Sequence, residues 1–181
     1  EALGCQAVAQ VRDVFAHHRT HRRVCHSREC AFILLHFRQD FVAQRDRDAG
    51  QFFGCNLADP RLVRAVAAAG PNIRLAIVGE GPDRDVIMAE ATRLGIADRV
   101  MMPGYLRDPA RYIRLFDIFA LSSDSEQYPI SLVEAMTSAL PIVSTDVGDV
   151  RTIVSRENRP FIVARDDEGA LASAISSLAK D

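Results

Sequence analysis

The stretch Ile73-Arg74-Leu75-Ala76-Ile77-Val78-Gly79-Glu80-Gly81-Pro82, continuing from Asp83 to Leu94 and Gly95, decides the fold. Its first six residues form a nearly unbroken apolar run ended by glycine, which reads as a strand buried on both faces. Beyond the turn, Val86, Ile87, Ala89, Ala91 and Leu94 recur at helical spacing, and Gly95 supplies the stop. Strand, glycine turn and helix make one step of an alternating α/β chain.

The alternation continues in both directions. Upstream, Leu57 to Ala69 is rich in Ala, Val and Leu and ends at Gly70-Pro71, a helix stop. Downstream, Arg99 to Met102 reads as a strand closed by Pro103-Gly104. Asp108-Pro109 then opens a helix to about Leu115. Asp117 to Leu121 and Pro141 to Ser144 read as strands around a helix that starts at Pro129 and runs through about Ser138. Asp149 caps a short helix, Phe161 to Val163 is the last strand, and Glu168 to Leu178 the last helix. Short buried strands separated by helices predict a Rossmann-like parallel sheet of about five strands with helices on both faces. In such sheets the carboxyl ends of the strands form the ligand edge. Four loops should therefore share one rim: Gly79 to Pro82, Pro103 to Tyr105, Ser122 to Tyr128 and Thr145 to Gly148.

Residues 1–55 have another composition. All four cysteines and all five histidines of the 181-residue chain lie there, with eight arginines against six acids. They read as an atypical segment expected to pack poorly, and residues 56–181 as the folded domain. Val8 to Phe15 allows a turn or two of helix and Ala31 to Phe37 a strand, but no amphipathic element of useful length emerges. Cys25, His26, Cys30 and His36 invite a zinc reading, yet their spacing fits none of the ordinary patterns, and no metal is expected. The basic run Arg19 to Arg23 reads as a solvated patch. A net charge of −2 gives no basic field for nucleic acid. The apolar run Ala31 to Leu35 is far too short for a membrane span, so a cytoplasmic setting is expected, with peripheral membrane contact open.

Chemistry concentrates in Ser125-Glu126-Gln127-Tyr128-Pro129-Ile130-Ser131-Leu132-Val133-Glu134-Ala135-Met136. Pro129 leaves Glu126 in the loop and puts Glu134 about one turn inside the helix. The helix N-terminus, a natural anion site, lies between the two carboxylates. A ligand with a central diphosphate and hydroxyl-bearing sugars at both ends fits that arrangement.

From Ile73 to Leu178 the chain resembles the carboxy-terminal, donor-binding domain of the family 4 retaining glycosyltransferases, which is one half of a GT-B fold. The resemblance is carried by five elements in order. They are Gly79-Glu80-Gly81-Pro82, Met102-Pro103-Gly104-Tyr105, Leu121-Ser122-Ser123, the glutamate pair Glu126 and Glu134 with Ala135-Met136, and Pro141 to Thr145. It implies retaining transfer of a sugar from a nucleotide diphosphosugar to an acceptor hydroxyl, with neither metal nor cofactor. It gives Glu134 the ribose and Glu126, as catalytic residue, the transferred sugar. Tyr128, Pro129, Ile130 and Ser131 would face the diphosphate and sugar, Met102, Gly104 and Tyr105 the base, with Gly79 and Gly81 on the donor side.

The chain also departs from the family. Gln127-Tyr128-Pro129 replaces the family's Gly-Phe-Gly, and no convincing opening strand, glycine turn or diphosphate-neutralising basic pair is legible before Gly54-Cys55-Asn56-Leu57 and the helix with Arg61 and Arg64. An amino-terminal acceptor-binding domain, also implied by the family, has no counterpart in these residues. The expectation is an incomplete enzyme without turnover by itself, whose partners are the nucleotide-sugar donor and the absent domain, with room for an acceptor at a membrane surface. The alternatives are a non-catalytic nucleotide-binding remnant and a GT-B sugar-nucleotide epimerase relative.

Overall fold

The computed structural model describes residues 31–36, 60–79, 81–104, 110–126 and 128–180. Among these residues six strands form one sheet: β1 (Ala31–His36), β2 (Ile73–Val78), β3 (Val100–Gly104), β4 (Ile118–Leu121), β5 (Ile142–Thr145) and β6 (Ile162–Val163). Every pairing is parallel, and the order across the sheet is β3-β2-β1-β4-β5-β6. Among the described residues, six α-helices connect and cover them: α1 (Pro60–Ala69), α2 (Arg84–Arg93), α3 (Ala110–Ile113), α4 (Ile130–Thr137), α5 (Val150–Ile153) and α6 (Glu168–Leu178). This is the parallel sheet with helices on both faces that the sequence predicts.

The period-two alternation of strand side chains explains why both faces are dry. On one face Leu75, Ile77, Ile118, Ala120 and Val143 pack under Leu62, Val63 and Val66 of α1, Ile87 and Ala91 of α2, and Leu171 and Ile175 of α6. On the other, Ala76, Val78, Phe119, Leu121 and Ile142 pack under Ile113 of α3, Leu132 and Ala135 of α4, and Val150 of α5. Strands sandwiched this way have no polar face, hence the continuous apolar runs in the sequence.

Of residues 1–55, read as an atypical segment in which Ala31 to Phe37 allowed a strand, the structure describes 31–36. There β1 lies near the middle of the sheet, in register with β2 from Ala31–Ile73 through His36–Val78 and with β4 at Ile33–Ile118 and Leu34–Phe119. Its run Ala-Phe-Ile-Leu-Leu-His is apolar enough for a strand covered on both sides, although no legible helix or turn signal flanks it. Cys25, His26, Cys30 and the basic run Arg19 to Arg23 lie outside the described residues, as do Glu80, Tyr105 and Gln127.

The strand order also fixes where a ligand can enter. The chain moves outward from β1 to β2 and β3, then crosses back to β4 and continues to β5 and β6. The reversal falls between β1 and β4, and the crevice at their carboxyl ends is the topological switch point of the sheet.

Candidate functional site

The predicted rim loops all follow carboxyl ends of parallel strands, so they lie on one edge, and direct contacts join them in pairs. On one side of β1, Gly79 closes β2 and Gly104 closes β3. The Gly79 N–H donates to the Gly104 carbonyl at 2.9 Å. Their φ values are 128° and 79°, a left-handed region that side chains avoid, so glycine is required at both for backbone reasons alone. Gly81 differs: its φ is unexceptional, and a Cβ built there meets nothing within 4 Å. Met102 and Gly104 are half-buried at the end of β3. Arg84, the first residue of α2, donates from Nη1 to the Met102 carbonyl at 2.9 Å and ties the first turn of α2 to that strand.

On the other side of β1, the β4–α4 loop is tied down by hydroxyls. The Thr145 hydroxyl, buried at the end of β5, donates to the Ser123 carbonyl at 2.7 Å. The Ser123 hydroxyl donates to Glu126 Oε1 at 2.8 Å. Glu126 is thus half-buried, with one carboxylate oxygen held. Next to it a hollow of about 350 Å³ opens between Asp124-Ser125, Asp146 to Gly148 and Arg165-Asp166, which puts the loops after β4, β5 and β6 side by side.

Pro129 is the N-cap of α4 and makes no side-chain cap hydrogen bond. A proline cap has no oxygen to offer, so the first N–H groups of the helix, at Ile130 and Ser131, get none from it. Glu134 is the fifth residue of α4, one turn in, and half-buried; none of the described residues pairs with its carboxylate. Tyr128 and Ile130, 57% and 49% exposed, flank the buried Pro129 at the helix mouth. The structure therefore brings Gly79 to Gly104 and Glu126 to the mouth of α4, on opposite sides of the switch point.

Several neighbours of this rim were not legible as site residues. Arg61, in the first turn of α1, forms an ion pair with Asp124 in the Glu126 loop. One turn further, Arg64 grips the Glu168 carboxylate, Nε to Oε2 at 2.9 Å and Nη2 to Oε1 at 2.5 Å, and holds its pKa below the ordinary value. Hydrogen bonds from Arg93 and, more weakly, Arg64 hold Glu90 down to about 2. Ser122-Ser123 and Thr145 did give a sequence signal, as parts of the predicted rim.

Among the described residues no cluster could hold a metal, and no helix is long and apolar enough to cross a membrane. The model of the family described as "Glycosyl transferases group 1" matches residues 51–181. Among curated proteins, the chain is 27% identical over 149 residues to N-acetyl-alpha-D-glucosaminyl L-malate synthase of Bacillus anthracis, covering 82% of the chain and 36% of that protein. It is 28% identical over 146 residues to 2-deoxystreptamine N-acetyl-D-glucosaminyltransferase of Streptomyces fradiae, covering 79% of the chain and 31% of that protein. The chain thus spans about a third of the length of these relatives. Its fold is similar to that of the lipopolysaccharide outer core galactosyltransferase WaaB (TM-score 0.70, 20% identity, 86% of this chain and 42% of that one). It is similar too to Anabaena HepE solved with UDP and glucose (TM-score 0.66, 21% identity, 84% and 40%).

Proposed function

The chain belongs to the group 1 glycosyl transferases, and from that premise we propose that it binds the nucleotide diphosphosugar donor in a retaining, metal-independent sugar transfer to an acceptor hydroxyl. The observation that carries the reading is the mouth of α4. A helix start without a side-chain cap lies between a loop carboxylate, Glu126, and a helix carboxylate, Glu134, at the edge of the switch-point crevice. The helix start contributes roughly half a positive charge and free N–H donors, which suits a diphosphate. Glu134, with no partner among the described residues, is available to the ribose hydroxyls. Glu126 keeps acceptor capacity beside its Ser123 bond and takes the sugar hydroxyls. The base lies over Met102 and Gly104, and Tyr105, given to the base by the resemblance, lies outside the described residues. Gly81 fits the reading because nothing among the described residues demands glycine there, whereas a ligand close to the backbone would.

In this reading the chain's chemical contribution is leaving-group stabilisation: the α4 mouth meets the charge that develops on the diphosphate as the glycosidic bond breaks. We place β1 in the donor-binding unit because it completes the crevice. Turnover by these 181 residues alone is not expected, since they span about a third of the relatives. The relatives' names and the UDP bound to HepE make UDP-N-acetylglucosamine the first probe.

Calorimetry with UDP and UDP-N-acetylglucosamine tests the assignment. Glu134→Ala should weaken both ligands by about 1.5–3 kcal/mol, the range for hydrogen bonds to a charged group, because the ribose is common to both. Glu126→Ala should weaken only the sugar nucleotide. Equal losses for both ligands at Glu126, or none at Glu134, would overturn the assignment.

A further inference from the structure

The loop that carries Glu126 is gripped from a helix 63 positions earlier in the chain. Arg61, the second residue of α1, is only 11% exposed. Its Nη2 pairs with Asp124 Oδ1, and its Nη1 donates to the Arg165 carbonyl at 2.7 Å, with Asp166 Oδ1 3.7 Å from the same nitrogen. One planar guanidinium therefore joins the β4–α4 loop to the β6–α6 loop, a two-pronged grip that a lysine ammonium cannot reproduce. Asp124 stands two residues before Glu126. Between them and β4, Ser123 is fixed through its carbonyl by Thr145 and fixes Glu126 through its hydroxyl. The described contacts thus anchor the loop through a hydroxyl relay from β5 in front and an ion pair from α1 behind.

We infer that Arg61 is a positioning residue for the sugar-binding carboxylate: by pinning Asp124 it holds Glu126 in place before the donor arrives. The inference rests on the donor-binding reading of Glu126. Loops between a strand and a helix are otherwise free to re-aim their side chains, and recognition of a sugar hydroxyl tolerates little displacement. The loss on cutting the grip should therefore fall on the sugar and spare the nucleotide. The ribose, diphosphate and base are assigned to α4 and to the β2–β3 side, whereas the Arg61 grip described above is on Asp124 and on Arg165-Asp166.

Calorimetry of the full chain with UDP and UDP-N-acetylglucosamine tests this. Arg61→Met should weaken the sugar nucleotide about tenfold and leave UDP within about twofold, in line with the cost of a misplaced contact. Asp124→Ala should give the same selective loss from the other end of the pair, and the double variant should be no worse than either single one. Arg61→Lys should recover part of the loss. Arg64→Met, one turn away and paired to Glu168 and Glu90 instead, should lower the melting temperature but leave the ratio of the two affinities unchanged. If Arg61→Met does not fold, Asp124→Ala and Arg61→Lys decide the matter. Equal losses for both ligands, or an inert Asp124→Ala, would overturn the positioning role while leaving Glu126 intact as the sugar contact. Failure of Glu126→Ala itself to discriminate the two ligands would overturn the donor-binding reading, and the positioning role with it.

Discussion

Helix α4 ends in a way that allows a quantitative test of the structure around the site. Ala139 follows its C-cap, Ser138, with a φ of 56°, the left-handed conformation in which glycine is normally found. The hydrogen bonds are those of a Schellman motif: Ala139 N–H to the Met136 carbonyl at 2.9 Å and Leu140 N–H to the Ala135 carbonyl at 3.1 Å. An L-residue in this conformation costs about 1–2 kcal/mol. Replacing Ala139 by glycine removes that cost and adds about 0.4–1 kcal/mol of unfolded-state entropy. Ala139 is exposed, so its methyl takes little packing with it, and both hydrogen bonds use backbone atoms that glycine keeps. The net expectation for Ala139→Gly is a gain of about 0.5–1 kcal/mol. That corresponds to a rise of about 1–4 °C in melting temperature for a domain of this size. Urea unfolding at unchanged m-value measures it, and Ala139→Val should move the midpoint the other way, since a β-branched residue tolerates this conformation least. A lower midpoint for Ala139→Gly would mean that α4 does not end in this motif. Because the change is at the far end of α4 from Pro129, UDP affinity should be unchanged.

Other perturbations read other parts of the structure. The Asn158 side-chain oxygen accepts the N–H of Ile142, the buried first residue of β5, at 3.0 Å. Asn158→Ala orphans that donor and should cost about 1–3 kcal/mol by chemical denaturation; a change near zero would show that the bond is not made. Glu90 is held down to about 2 and Glu168 is also lowered from 4.5. Their folded values lie below the unfolded ones, so both stabilise the fold fully above pH 4.5 and lose that effect as pH falls through the folded values. Arg64→Met should flatten the acid side of the stability–pH curve and leave its shape near neutrality alone; an unchanged acid limb would refute the linkage. Screening by 1 M salt should weaken the Arg64–Glu168 pair more than the Arg61–Asp124 pair, because the two carboxylates are similarly exposed but the Arg61 guanidinium is covered and that of Arg64 is not, an order that double-mutant cycles at two salt concentrations would read.

From Ile73 onward the strands were legible to within a residue or two, because strands covered on both faces must be continuous apolar runs and their glycine and proline stops are local chemistry. The last helix, Glu168–Leu178, was legible with both its ends. The strand at Ala31–His36 was only an option, since its place near the middle of the sheet is set by pairing with residues some forty positions later. Glu126 and Glu134 stood out through their spacing around Pro129. The restraints on Glu126 did not: Thr145 is 22 positions from Ser123, and Arg61 is 63 positions from Asp124. Nothing in local pattern marks such pairs. The stop of α4 was placed at about Ser138, and the left-handed alanine that makes the turn carried no signal at all.

Amide shifts of the isotope-labelled chain, followed as UDP-N-acetylglucosamine is added, read the proposed donor site residue by residue. The account predicts perturbations along the carboxyl rim, at Gly79, Gly81, Gly104, Glu126 and Ile130 through Glu134. Gly70 and Arg99, at the opposite edge and joined there by a 2.6 Å hydrogen bond, should stay unmoved. Shifts clustered around Gly70 and Arg99, or a silent rim at saturating ligand, would contradict it.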